Sequence, residues 1–193
     1  LMVGFNRRFS PIITELFKNI HDLKDTKVAI NYRINAGIVP HDHWIHDKEI
    51  GGGRIIGEAC HFIDLAAYLA NSPIASVSAV AISDHLAQDD TTAINLFFQN
   101  GSIANISYFS NGNKDIPKEY IEVFFNGRIA IVDDFEKKLK NIDKGHNQEI
   151  YAFLESIKQG TQCPISFNEQ YNSFLATFKV LKSISTNGER ISV

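Results

Sequence analysis

The sequence predicts an α+β fold in which a large, mostly antiparallel sheet is covered on one face by helices. Three observations carry that expectation. Five strand-like segments follow one another between residues 75 and 133 with no helical pattern among them, and strands grouped this way build meanders rather than alternating β-α-β units. Two of their joints are Asn-Gly, at Asn100-Gly101 and Asn126-Gly127; that pair accepts the positive φ of two-residue hairpin turns, which makes the neighbouring strands antiparallel. Amphipathic helical patterns stand before and after the strands and supply cover for one face.

Residues 1–5 (LMVGF) read as a buried apolar strand with no turn or cap before it. A domain rarely starts so, and the expectation is that this strand belongs to, or abuts, a preceding sheet rather than being a short edge strand. Ser10 is a good N-cap and Pro11 a good first helical residue. Ile12, Ile13, Leu16, Phe17, Ile20 and Leu23 then recur at helical spacing, so one amphipathic helix runs to about residue 23. Residues 27–35 (KVAINYRIN) alternate apolar Val28, Ile30, Tyr32 and Ile34 with Ala29, Asn31, Arg33 and Asn35, the pattern of a strand with one buried face. A long loop follows, carrying His41, His43, Trp44 and His46 and ending at Gly51-Gly52-Gly53. From residue 54 to 70, Ile55, Ala59, Phe62, Ala66 and Leu69 trace a helical stripe that Asn71-Ser72-Pro73 stops.

Strands are expected at 75–83, 91–99, 102–109, 120–125 and 128–133, with a weaker one near 138–142. Two helices close the chain, at about 146–159 with Ile150, Phe153, Leu154 and Ile157 as its stripe, and at about 168–186 with Tyr171, Leu175, Phe178, Leu181 and Ile184. Asn187-Gly188 is a C-cap, and residues 191–193 form a short terminal strand. Apolar residues on both faces of some strands, as in Leu96-Phe97-Phe98 and Phe124-Phe125, predict that the open sheet face is buried against another subunit or domain, most simply as a homo-oligomer.

Composition narrows the function classes. A chain of 193 residues with 44% apolar and 21% charged residues fits one globular domain and excludes disorder and collagen. Its apolar runs are strand-sized, and no basic segment followed by an apolar core stands at the start, so the expected compartment is the cytoplasm, with no membrane partner. Nineteen basic against 22 acidic residues, without a Lys/Arg block, turn the expectation from nucleic acid towards small molecules. Cys60 and Cys163 stand far apart with no CxxC pattern, which fits a reducing compartment.

Two stretches offer chemistry. The loop with His41, His43 and His46-Asp47 has the residue types of a metal site but not the spacing that a turn or helix imposes on zinc ligands, so no metal is expected. Substrate contact suits it better, with Trp44 offering a flat apolar face to a sugar ring, against the plainer reading of Trp44 as a loop anchor. Gly51-Gly52-Gly53 lacks both phosphate-binding glycine patterns. On the helix that follows, Arg54, Glu58 and His61 stand four and three residues apart and share one ridge. An imidazole takes a proton from a hydroxyl, and a carboxylate one turn away fixes its tautomer. The plainer reading keeps His61 as a structural residue satisfied by Glu58.

The run GGGRIIGEACHFIDLAAYLANSPIASV, with MVGFNRRFSP before it and DKGHNQEIYAFLESIKQGTQCPISFNE after it, resembles the C-terminal part of the Gfo/Idh/MocA oxidoreductases. The resemblance covers essentially the whole chain and is nearest to the branch in which this module follows a zinc-type alcohol dehydrogenase. It implies a glyceraldehyde-3-phosphate-dehydrogenase-like C-terminal fold behind an N-terminal Rossmann domain that binds NAD or NADP. Residues 1–9 are then the last Rossmann strand and linker, and residues 10–193 the substrate-binding and oligomerisation domain. It implies action on a hydroxyl of a sugar, sugar-nucleotide or cyclitol, with His61 as acid/base. The family's Asp four residues earlier is replaced by Gly57, with Glu58 beside it as the candidate partner. Arg33, Asn35, His43 and Trp44 become the expected substrate contacts, and Asn6 and Arg8 the expected cofactor contacts. Lys144 and His146 are assigned to helix capping and charge. The family's catalytic lysine and dinucleotide-binding glycine loop have no counterpart in these residues, so the chain alone is expected to be inactive. The alternative is a cofactor-free binding or assembly domain that keeps the fold without the reaction; a metal-dependent hydrolase built on the histidine loop is a more remote one.

Overall fold

The computed structural model describes all residues except 23, 41, 48, 83–89, 114 and 136–142. A 3-10 turn at Asn6–Phe9 leads into α1 (Pro11–His21) and β1 (Ala29–Asn35). The long loop contains a second 3-10 turn at Trp44–His46, and a π-helical turn at Ile55–Ala59 runs directly into α2 (Cys60–Ala70). Then come β2 (Ile74–Ala81), β3 (Thr92–Phe98), β4 (Ile103–Phe109), β5 (Glu119–Phe125) and β6 (Arg128–Asp133). Two helices, α3 (His146–Gln159) and α4 (Phe167–Ser185), and the short β7 (Ile191–Ser192) complete the order.

The strands form one sheet in the order β6-β5-β1-β4-β3-β2-β7. Every ladder is antiparallel except that between β1 and β4. The first strand in sequence therefore enters the middle of the sheet, antiparallel to β5 on one side and parallel to β4 on the other. Both Asn-Gly joints connect antiparallel neighbours. Asn126 and Gly127 both take positive φ (47° and 72°), as a two-residue hairpin with that twist requires. At the other joint Gly101 takes positive φ (87°) and the loop is longer, closed by Phe98 N–H donating to the Ser102 carbonyl at 3.1 Å.

Tyr32, Ile34, Ile106, Tyr108, Ile121 and Val123 face the helices and are fully buried. Phe62, Ile63, Leu65, Ala66 and Leu69 of α2 are equally inaccessible, and each larger one contributes about 1.5–3 kcal/mol by leaving water. The alternate residues of the strands form the open face, where Ile103, Ile129 and Ile131 are about half exposed and Phe124 is 44% exposed. No helix among the described residues is long and apolar enough to cross a membrane.

Three expectations need correction or fall outside the description. Residues 1–5 carry no ladder; Val3 N–H donates to the Gln170 side chain at 2.7 Å and Phe5 N–H to the Val3 carbonyl, which holds them as an irregular arm. The apolar stripes of α3 and α4 point largely away from the sheet: Ile150, Leu154, Ile157, Tyr171 and Phe178 are about half exposed or more. What α4 buries is Gln170, Ser173, Ala176, Thr177, Val180 and Ser183, because small side chains let its backbone lie close to β2, where Ser183 Oγ accepts from Ala79 N–H at 2.8 Å. The weak strand near 138–142 lies outside the described residues.

Candidate functional site

β1 and β4 end together at Asn35 and Phe109, and β5 begins beside them at Glu119. The loop after β1 returns to the same edge through the π-helical turn, so charged side chains from separate stretches of chain converge there. The Arg54 guanidinium is 4% exposed and donates to the Gly37 carbonyl at 2.7 Å and to Glu58 Oε2 at 3.1 Å. Its Cζ lies 5.3 Å from the centre of the Tyr108 ring. Glu58 also accepts from the Tyr108 hydroxyl at 2.5 Å and from the Lys118 ammonium. Burial would raise the Glu58 carboxyl, but the hydrogen bonds of Lys118 and Tyr108, the Lys118 charge and Arg54 hold it below its ordinary range.

A second cluster sits deeper. Arg7 donates twice to Glu119, at 2.8 and 2.9 Å, while Lys144 Nζ donates to Glu119 Oε1 at 2.7 Å and to Asp134 at 3.3 Å. The Tyr32 hydroxyl donates to the same carboxylate. Burial works against the charged form of Glu119, yet the hydrogen bonds and charge of Arg7, followed by Lys144, hold it at about 2. Lys118 and Glu119 are consecutive, so one dipeptide links the two clusters.

His61 stands on the first turn of α2 and feels both. Its ring meets the Phe5 ring edge-on at 5.7 Å, and its Nδ1 is buried with no hydrogen-bond partner among the described residues. Burial first, then the Arg7 charge, push the imidazole down to about 4, with Glu58 and Glu119 pulling upward and His146 downward. It is therefore neutral at neutral pH. A buried polar atom left unsatisfied costs about 1–3 kcal/mol, which a ligand or water partner would relieve.

The expected residues do not all converge. Glu58 and His61 share no hydrogen bond: the π-helical turn breaks the α-helical spacing that set them on one ridge, and the Glu58 oxygens are taken by Arg54, Tyr108 and Lys118. A Cβ at Gly57 would lie 2.5 Å from Ile45 Cδ1, so the loop has moved an apolar side chain into the space that a longer residue there would need. Arg33 alternates onto the sheet face opposite α2; it donates to the Pro117 carbonyl at 3.1 Å and lies 5.8 Å from the Tyr120 ring centre. Asn35 donates to the carbonyls of Asn113 at 2.5 Å and Ile116 at 3.3 Å. Both clamp the segment that leads to Lys118.

His43 caps the 3-10 turn, its Nδ1 accepting from Ile45 N–H at 3.3 Å. Trp44 is 57% exposed and thus is no anchor to the core. His41 lies outside the described residues, and among those described no group of three or more His, Cys, Asp or Glu side chains is placed to hold a metal. Asn6 donates to the Lys144 carbonyl at 2.7 Å. Arg8 donates to Asp64 at 2.6 and 3.0 Å and to Glu169 at 2.7 Å. Those donors are engaged inside the domain. The capping expected of Lys144 and His146 is absent: α3 starts at Gly145 with no side-chain cap, and Lys144 is an ion-pair residue instead. A cavity of about 610 Å³ between α1, the end of α2 and α4, lined by Phe17, Tyr68, Asn71 and Tyr171, touches neither Glu58 nor His61.

Sequence reading missed Arg7, Tyr108, Lys118 and Glu119. No local spacing signals them: the sheet order brings Tyr108 on β4 near Lys118 and Glu119 at the start of β5, and Arg7 reaches Glu119 from the 3-10 turn before α1.

The GFO/IDH/MocA C-terminal domain profile matches residues 26–127. Among solved structures, a candidate myo-inositol dehydrogenase of Sinorhizobium meliloti 1021 is 23% identical with a TM-score of 0.81, covering 100% of this chain and 65% of that one. A myo-inositol dehydrogenase from Corynebacterium glutamicum is 19% identical, with a TM-score of 0.76 and coverages of 100% and 64%. The myo-inositol dehydrogenase from Lactobacillus casei, solved with NAD(H) and myo-inositol, is 12% identical, with a TM-score of 0.78 and coverages of 100% and 61%. At these identities the likeness is one of fold, and the chain spans a little under two thirds of each. Comparison with curated proteins finds no match.

Proposed function

Since the chain belongs to the GFO/IDH/MocA C-terminal domain family, we propose that it is the substrate-binding half of an NAD(P)-dependent oxidoreductase acting on a hydroxyl of a sugar or cyclitol. The observation that carries this reading is His61: a neutral imidazole at the head of α2 whose Nδ1 is buried without a partner among the described residues. A neutral imidazole accepts the proton that a secondary alcohol releases on oxidation. The nicotinamide, when bound, would take the hydride. Because Asn6 and Arg8 are committed internally, cofactor binding falls to a Rossmann domain preceding residue 10, and the chain alone is inactive. The branch fused to a zinc-type alcohol dehydrogenase is the parent architecture that the sequence favours. The exposed apolar stripes of α3 and α4 suit docking against such a domain, and the half-exposed isoleucines of the open sheet face suit a homo-oligomer. Two unpaired cysteines fit the cytoplasm.

The test is a dehydrogenase assay on the native polypeptide that carries this domain, with NAD⁺ or NADP⁺ and a panel of aldoses and cyclitols. His61→Asn is expected to lower turnover by about 10²–10⁴ with polyol binding retained. Turnover unchanged by that substitution, or a polypeptide that oxidises nothing in the panel, would turn the assignment towards a binding or assembly domain.

A further inference from the structure

The partly exposed ion pair of Lys118 and Glu58 has bonding capacity to spare. Lys118 is 39% exposed at its side chain and Glu58 23%. An ammonium offers three N–H donors, of which one goes to Glu58. On the carboxylate, Oε2 carries both Arg54 and Tyr108, whereas Oε1 carries Lys118 alone among the described residues. Among the described residues, an open lone pair on Glu58 Oε1 thus lies beside open N–H donors on Lys118.

Both partners are held from behind. Arg54 is buried and tied to the Gly37 carbonyl, and Tyr108 is fully buried, so the carboxylate sits on a rigid base. Lys118 is fixed through its backbone carbonyl, which accepts from Asn35 N–H at 2.7 Å. The segment before it is clamped by the Arg33 and Asn35 side chains. Holding a donor and an acceptor side by side in this way avoids the ordering cost that a free surface pair would meet on binding.

The geometry points to Lys118 and Glu58 as a reader of vicinal diols: one hydroxyl donates to Glu58 Oε1 while its neighbour accepts from Lys118 Nζ. Adjacent hydroxyls give the carboxylate and the ammonium a partner each, whereas a lone hydroxyl has to divide one oxygen between the two. The inference deepens the reading above, on which it rests, by making a vicinal diol the recognised feature of the substrate. It also changes the part given to Arg33 and Asn35, which position Lys118 instead of meeting the ligand.

The isotope-labelled chain is titrated with myo-inositol, with a vicinal cyclohexanediol and with cyclohexanol, and followed by NMR at the Lys118 and His61 side chains. The two vicinal ligands are expected to shift both residues. Lys118→Met should weaken them by about tenfold or more, the loss expected for a hydrogen bond to a charged group, and weaken cyclohexanol by less; Lys118→Arg should restore part of the affinity. Undiminished diol binding by Lys118→Met, with His61 still shifting, overturns this inference alone, and so does an equal loss for cyclohexanol. If no polyol shifts either residue, the substrate-binding reading falls with it.

Discussion

Glu119→Gln removes the charge at the centre of the deeper cluster while keeping its shape. Glu119 is fully buried and receives Arg7 twice, Lys144 and Tyr32. A carboxyl moved from its ordinary 4.5 to about 2 gains about 3 kcal/mol in the folded state, at about 1.4 kcal/mol per pH unit. Breaking one side of a buried ion pair costs about 3–5 kcal/mol in other proteins, so both routes agree on about 3 kcal/mol. For a chain of this size that corresponds to about 6–12 °C in Tm. The assay is urea unfolding followed by circular dichroism at pH 7 for parent and variant. The sign with pH is fixed too. The Glu119 contribution is fully present above pH 4.5 and is lost as pH falls towards about 2, so the gap between parent and variant should narrow on acidification. A variant within about 1 kcal/mol of the parent at pH 7 would show that burial cancels the pairing, and the argument for Glu119 as an anchor would fail.

Three other outcomes are expected. In thiol titration of the native chain Cys163 should react and Cys60 should not: Cys60 is 5% exposed, and burial, then the Asp64 charge, push its thiol up to about 12; two fast thiols would refute this. Gly145→Ala should destabilise by more than the about 1–3 kcal/mol of an unfavourable φ, because φ is 85° there and a Cβ would meet the Asn6 carbonyl oxygen at 2.4 Å and Ser10 N at 2.5 Å; calorimetry checks it. Gly57→Asp should displace Ile45 and change the emission of neighbouring Trp44, the chain's single tryptophan; adding Ile45→Ala should reverse the change.

The fold was readable wherever one local rule decided it. The Asn-Gly joints, the alternation in residues 27–35 and the Ser10-Pro11 start each depend on a few adjacent residues, and each appears as an element close to its expected bounds. The helices went astray for a different reason. Periodicity reports that α3 and α4 have an apolar side but not which side meets the sheet. In α4 the packing face is built of serine, threonine and alanine, whose smallness matters more than their polarity at close approach, and the large apolar residues are left outside.

The site repeats that lesson in three dimensions. His61 was visible because a histidine beside a carboxylate on one helix is a local pattern, yet beyond Glu58 its charged surroundings come from Arg7 and Glu119, more than fifty residues away on either side. Arg33 and Asn35 are expected as substrate contacts only through the family resemblance, and strand alternation alone places Arg33 on the face away from His61. What alternation does not disclose is that the strand ends against the segment that carries Lys118. Once β1 is seated between β4 and β5, the hydrogen bonds of Arg33 and Asn35 to Asn113, Ile116 and Pro117 follow from proximity. Removing the Asn35 side chain should therefore reproduce part of the Lys118→Met effect on diol affinity without touching the ligand. An Asn35→Ala variant that bound diols as the parent does would mean that the backbone bond from Asn35 N–H to Lys118 suffices to place the ammonium.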